Sequence, residues 1–277
     1  MSYDPQIQRL EIENYINENF KHHPFLNNQG NLKYLAECMR RAYLRWHVLL
    51  CIDVEAWEKD NEKVTEIGIA LYNPIGQEYA LVPNIKQVHI RIEESLRLRN
   101  GRYVPDHADY SNSGVSYTML EEDAVLYLQA LVDNYINHPP LSAQGASLVG
   151  HNIRGDIAWL DKLGVDFHEN LNFIDTEKLF ALSNGKQGAS LVNGLERVQI
   201  PHAYLHNAGN DAYYTLLLAM KLCDPNARRF YNLDFLVTKE FIFPEIRGKK
   251  SRKKKDPNRA KLLEGNIDEL IIDITRN

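Results

Sequence analysis

At 277 residues, with 44% hydrophobic and 25% charged side chains, the chain has an ordinary globular composition and enough material for one well-buried domain with decorations. No apolar run approaches the ~20 residues that span a bilayer, and the opening MSYDPQIQRLEIENY has neither an apolar signal core nor an Arg-rich transit pattern. A net charge of -5 conceals an asymmetry: nine Lys/Arg and five Asp/Glu lie from Gly248 onward, leaving 23 basic and 32 acidic residues before it, a balance of -9 that excludes attraction of polyanions by overall field alone.

Residues 1–45 read as a helical extension. Ile7, Leu10, Ile12, Tyr15, Ile16 and Phe20, then Leu32, Leu35, Cys38, Met39 and Tyr43, recur near helical spacing, punctuated by His23-Pro24 and Asn27 to Gly30. Val48 to Val54 is a strand whose apolar run suits burial on both faces. Val64 to Tyr72 is a second strand, turned away by Asn73-Pro74-Ile75-Gly76. Residues 84–116 are polar and broken by Gly, Pro and Asn. They carry Lys86, His89, Arg91, Arg97, Arg99 and Arg102, either a phosphate-facing wall or a solvated face.

Met119 to Ile136 reads as a helix, opened by Thr118 with Glu121 three residues on, a capping-box pattern. Leu148-Val149 and Asn172 to Ile174 are strands, and Ile157 to Leu163 and Leu191 to Val198 are helices. Ala212 to Leu222 is the last core helix, stopped by Pro225. Strands alternating with helices over residues 46–225 predict an α/β domain with helices on both sheet faces. In the remaining segment, 226–277, the basic run 249–255 reads as a nuclear localisation signal, a phosphate contact or solvated chain, and Leu262 to Ile274 as an apolar stretch that docks back. Cys38, Cys51 and Cys223 lack metal-binding spacing and read as reduced thiols, which places the chain inside the cell, in nucleus or cytoplasm.

Three motifs carry chemistry. In LLCIDVEAW, Asp53 and Glu55 stand at i and i+2 of a strand, so they point the same way, roughly 6–7 Å apart. Like charges held that close in a poorly solvated place resist ionising together, and a hard divalent cation is the usual remedy. Asp156 lies in LVGHNIRGDIAWL, and His206 and Asp211 in YLHNAGNDAYYTLLL. Alone, each aspartate would be a helix cap or first-turn residue and His206 a surface histidine. Their joint order and spacing are not what caps produce. Phe180, Trp159 and Tyr214 have helical spacing that suits core.

Together these motifs resemble the DEDDh 3′–5′ exonucleases of the ribonuclease H-like superfamily, over roughly Trp46 to Asp224. HNIRGD and HNAGNDA look most like a fungal branch linked to messenger-RNA export and small-RNA pathways. The resemblance implies a five-stranded mixed sheet flanked by helices and two Mg²⁺ or Mn²⁺ ions. Asp53 would serve both ions, Glu55 and Asp211 one, and Asp156 the other, with His206 as general base. It implies hydrolysis at the 3′ ends of single-stranded RNA or DNA, RNA preferred; the rival is a catalytically weak scaffold in RNA metabolism, and an endonuclease on the same fold is disfavoured by the His206–Asp211 spacing.

His151 and Asn152 would hold the turn before Asp156 or touch substrate; Arg97 and Arg99 would line the insert's wall. Glu66 matches a second-strand element of the superfamily, and Asp175-Thr176 a turn or cap. One departure concerns the position after Glu55, where many members carry Thr or Ser and then a residue that wedges the terminal base. Here Ala56-Trp57 follow, and Trp57 is either a stacking surface or a covering aromatic. Oligomeric state and protein partners are not encoded in these motifs.

Overall fold

The apolar run Val48 to Ile52 leaves no face for water, and it forms the middle of the molecule as strand β1 (Val48–Trp57). The structure, a computed structural model, describes residues 4–18, 20–77, 80–184, 188–234 and 257–275. Around β1 stand β2 (Asp60–Tyr72), β3 (Ile85–Ile92), β4 (Val115–Met119), β5 (Ala146–Gly150), β6 (Phe173–Asp175) and β7 (Lys261–Glu264), in the order β6-β5-β1-β2-β3-β4-β7. The pairs β1–β2 and β2–β3 are antiparallel and the other four parallel, so the sheet is mixed.

Alternation along β1 divides two cores. Leu49 and Cys51 face α1 (Pro5–Ile16), α2 (Gln29–Tyr43), α5 (Thr176–Asn184), α6 (Leu191–Arg197) and α7 (Ala208–Cys223). Val48, Leu50 and Ile52 face α3 (Glu121–Val132), α4 (Ile153–Lys162) and α9 (Ile267–Thr275). Ile12, Tyr15, Leu35, Cys38 and Met39 bury the N-terminal helices against the first core, as their spacing predicts. Cys38, Cys51 and Cys223 are buried free thiols.

Several elements differ from their sequence reading. Where five strands are expected, the sheet has seven, and two of the four neighbours on its β2 side come from the segment read as polar loop. In β3, Val88, Ile90 and Ile92 enter the core, while His89 and Arg91 between them are equally buried because each finds a polar partner. Thr118 is not a helix cap. It lies in β4, its hydroxyl donating to the Leu263 carbonyl, and the α3 N-terminus is instead met by the Glu94 carboxylate, which accepts from Glu121 N–H. Helix α5 follows directly on the Asp175 cap, and α7 begins one turn earlier than its apolar stripe because Asn207 caps it.

Pro225 opens α8 (Pro225–Phe230) as well as closing α7. The expected docking of 262–274 is present: β7 joins the sheet edge, and Leu270 and Ile274 of α9 are buried. The basic run 249–255 lies outside the described residues. No helix among the described residues is long and apolar enough to cross a membrane.

Candidate active site

The β1–β5 pairing ends at Cys51 and Val149, whereas β1 runs on beside β2 to Trp57. The second half of β1 therefore leaves the double-sided core at the carboxyl ends of the parallel strands, where open α/β sheets form their crevices. Asp53 and Glu55 stand on that exit, opposite Gly68 and Glu66 of β2.

Two helix N-termini bring the other acids to them. After β5 the chain turns through Asn152 in a left-handed conformation (φ 62°), a shape asparagine tolerates, and its N–H donates to Asp175 Oδ1. This places Asp156 in the first turn of α4. Helix α7 rests directly on β2: a Cβ on Gly68 would lie 1.9 Å from the Ala208 carbonyl oxygen, so only glycine lets the helix end approach. Asp211 stands in that first turn, buried, with Oδ2 accepting the His206 backbone N–H at 3.0 Å. Its Oδ1 is buried with no hydrogen-bond partner. His206, exposed and left-handed (φ 64°), completes a group in which ligand atoms of Glu55, His206 and Asp211 lie within 4.8 Å of one another.

The electrostatics follow from this convergence. Withdrawal from water, then the charges of Asp211, Asp156, Glu55 and Glu66, drives Asp53 well above the usual carboxylate range. Glu55 is pushed up to about 8 by burial, then by Asp211, Glu66 and Asp156. Asp156 rises to about 7 through burial and then Asp175; Asp211 rises to about 7 through burial, against the His206 N–H that favours its charge. No Lys or Arg pairs with any of the four among the described residues. Although His206 is exposed as a residue, partial withdrawal of its ring from water, then His107, lowers its pKa.

An acidic cluster without a counter-cation, holding an orphaned buried carboxylate oxygen, has the hard donor set that Mg²⁺ or Mn²⁺ takes. Asp53 and Asp156 lie outside the tight three-residue group, yet Asp53 is repelled by Asp211 and Glu55 of it, and Asp156 acts on both Asp53 and Glu55.

The expected substrate-side residues divide. Trp57 is half-buried, its ring lying under Lys59 and its indole N–H donating to the Arg99 carbonyl at 3.3 Å, which ties it to the insert. Arg99, expected in the insert's wall, is neither free nor simply solvated: its guanidinium is engaged by Asp106 and Asp109. Arg97 remains exposed, without a partner among the described residues. Both ring nitrogens of His151 are taken, by Thr176 Oγ1 at 2.9 Å and the Ala189 carbonyl at 2.8 Å, contacts that hold the turn before Asp156.

In the layer behind the acids, sequence reasoning singled out Glu66 but missed its partners. Glu66, buried, accepts from His89 Nε2 at 2.8 Å and from Ala208 N–H at 3.4 Å, while His89 Nδ1 meets Ser116 Oγ at 2.7 Å. Asn207 and Asn210 are likewise fully buried and hydrogen-bonded. The only signal for them was their place inside HNAGND, where caps and ligands look alike.

The sequence model of the family described as "DNA polymerase III subunit epsilon-like, C-terminal domain" (DEDDh) matches residues 48–222, which include all five motif residues. In Saccharomyces cerevisiae, "Good for full DBP5 activity protein 2" is 37% identical over 75% of this chain and 41% of its own length. An uncharacterised protein of the same yeast is 36% identical over 82% of this chain and 52% of its own. An uncharacterised nucleolar protein of Schizosaccharomyces pombe is 31% identical over 60% and 65% respectively. The chain thus spans about half the length of the first two relatives.

Proposed function

This chain belongs to the DEDDh family of DNA polymerase III subunit epsilon-like domains, and from that premise we propose that it is a metal-dependent 3′–5′ exonuclease. It hydrolyses terminal phosphodiesters of single-stranded nucleic acid, RNA in preference to DNA. The observation that carries this reading is the convergence of four unpaired carboxylates on one crevice, with Asp211 Oδ1 buried and unbonded. A fold that lacked a cationic occupant there would leave a repulsive and poorly solvated cluster uncompensated.

Asp53 would contribute to two ions, Mg²⁺ or Mn²⁺, with Glu55 and Asp211 on one and Asp156 on the other. When bound, they would neutralise charge developing on the phosphoryl oxygens and lower the pKa of water. The protein's own groups supply the rest. His206, whose pKa is lowered by withdrawal from water and then by His107, would take the proton of the attacking water on its imidazole. Asp211 Oδ2 holds the His206 backbone and so couples base and ligand in one turn. The proposed substrates are single-stranded 3′ ends, in a nuclear or cytoplasmic setting.

Purified protein incubated with 3′-labelled and 5′-labelled oligonucleotides, in Mg²⁺, Mn²⁺ or EDTA, decides the matter beside Asp53→Ala. Stepwise release from the 3′ end that vanishes in EDTA and in the variant is the expected result. No release by the wild type under either metal sinks the enzyme and leaves a binding scaffold. His206→Ala is expected to slow turnover by roughly 10²–10⁴-fold with Mn²⁺ affinity largely kept.

A further inference from the structure

The residue before Asp211 has an unusual set of duties. Asn210 is fully buried, and its amide joins the turn six residues before it to two segments remote in sequence. Oδ1 accepts from Asn112 N–H at 2.8 Å and from Gln87 Nε2 at 3.3 Å. Nδ2 donates to the Tyr110 carbonyl at 2.9 Å and the Tyr204 carbonyl at 3.0 Å. Two donors and two acceptor lone pairs are the whole capacity of an asparagine side chain, and all are used.

What this amide grips is a strained turn. Tyr204 (φ 54°) and His206 (φ 64°) are both left-handed, a region in which side chains other than glycine persist only when the surroundings over-determine them. The surroundings here are the insert between β3 and β4. Tyr110 stacks on Tyr204 with ring centroids 4.9 Å apart and planes 13° from parallel. Tyr214 of α7 supplies a second clamp, its hydroxyl accepting from Ala203 N–H at 3.2 Å and Asn112 Nδ2 at 2.8 Å.

We infer that Asn210 is a positioning residue: its amide fixes the Tyr204–His206 turn against the insert, and so sets where the His206 imidazole stands beside Glu55 and Asp211. The inference rests on the exonuclease reading for its catalytic consequence, and on geometry alone for its structural one. It gives the insert a duty other than phosphate contact, since residues 107–112 act as the wall against which the base is braced.

The test uses the full chain with Asn210→Ala and Asn210→Asp. The aspartate keeps both acceptor bonds and turns both donor bonds into repulsion with the Tyr110 and Tyr204 carbonyls. Amide hydrogen exchange is expected to accelerate over 203–207 and 108–112 in both variants while β1 stays protected; unchanged exchange overturns the inference even if the protein is no nuclease. On an oligonucleotide, kcat is expected to fall about 10²-fold, with KM and Mn²⁺ affinity held within about twofold. In a His206→Ala background, Asn210→Ala should add no further loss, because it acts only through that imidazole. Additive losses, or full turnover in Asn210→Ala, refute it. Should that variant fail to fold, Tyr214→Phe must show the same exchange and kcat pattern at smaller amplitude, and its absence refutes the inference equally.

Discussion

Glu55 lies across the β1–β2 pair from Glu66, within the field of Asp211 and Asp156, and it is this company as well as lost hydration that holds its proton. The consequence is a stability that depends on pH with a defined sign. An acid whose folded pKa exceeds its unfolded value binds extra protons in the native state, so stability is lost as pH rises through the folded pKa. Glu55, Asp156 and Asp211 have ordinary values of 4.5, 3.8 and 3.8 and stand at about 8, 7 and 7 in the fold. Buried His47, lowered to about 4, acts in the opposite sense, but its contribution is complete above the ordinary histidine value of 6.5. Between pH 6.5 and 8 the carboxylates therefore dominate. In EDTA the melting temperature is expected to fall over that window, and Mn²⁺ at pH 8 should restore it. Asp53→Asn should flatten the slope; a melting temperature that rises with pH in EDTA would show that the cluster is not strained. The repulsion between Asp53 and Glu55 was legible in their spacing along one strand. The perturbation by Asp211, Asp156 and Glu66 was not, because it depends on separations between elements that no motif states.

At the level of elements, the seat of α7 on β2 decides whether Asp211 arrives. Gly68 and Gly209 lie at this contact: a Cβ on Gly209 would stand 2.7 Å from His89 Cβ, and one on Gly68 would overlap the Ala208 carbonyl. Gly68→Ala is thus expected to cost about 1–3 kcal/mol, as overpacking does, and to move the helix end outward with its aspartate. Thermal denaturation and Mn²⁺ titration of that variant should show a folded protein with a lower melting point and weakened metal binding. Undiminished affinity would mean that the helix can shift without carrying the ligand away. Strand β1, α7 and the N-terminal helices were readable because each carries an apolar run or stripe at its element's own period. Strand β3 was not, since His89 and Arg91 mimic a solvated face and their partners, Glu66 and Asp109, lie 23 and 18 residues away. The same holds for Thr118, whose capping-box spacing is real but whose hydroxyl serves β7.

For the molecule as a whole, charge sets a problem that the fold only partly answers. The body carries an excess of acids, and much of the insert's positive charge is spent internally: Arg91 and Arg99 pair with Asp109, Arg259 of the C-terminal segment joins them, and Ala260 N–H donates to the Asp109 carbonyl where β7 joins. Attraction for a polyanion must then come from bound cations and from basic segments such as 249–255. Deleting Lys249 to Lys255 is expected to weaken single-strand binding and to flatten its dependence on salt, by about 0.7 in the log–log slope for each phosphate no longer neutralised; a slope that stays the same assigns the run to localisation or solvation. The sequence by itself determined the candidate site's motif residues, their order, the central apolar strand and the α/β alternation, because faces, caps and acidic residue types are written in local periodicity and residue kind. Only the tertiary structure decided which polar groups are spent on one another and which are left over. Asp211 Oδ1 is orphaned, Arg99 is consumed and Asn210 is saturated through contacts set by how distant strands and loops close, and a local pattern holds no information about a partner far along the chain.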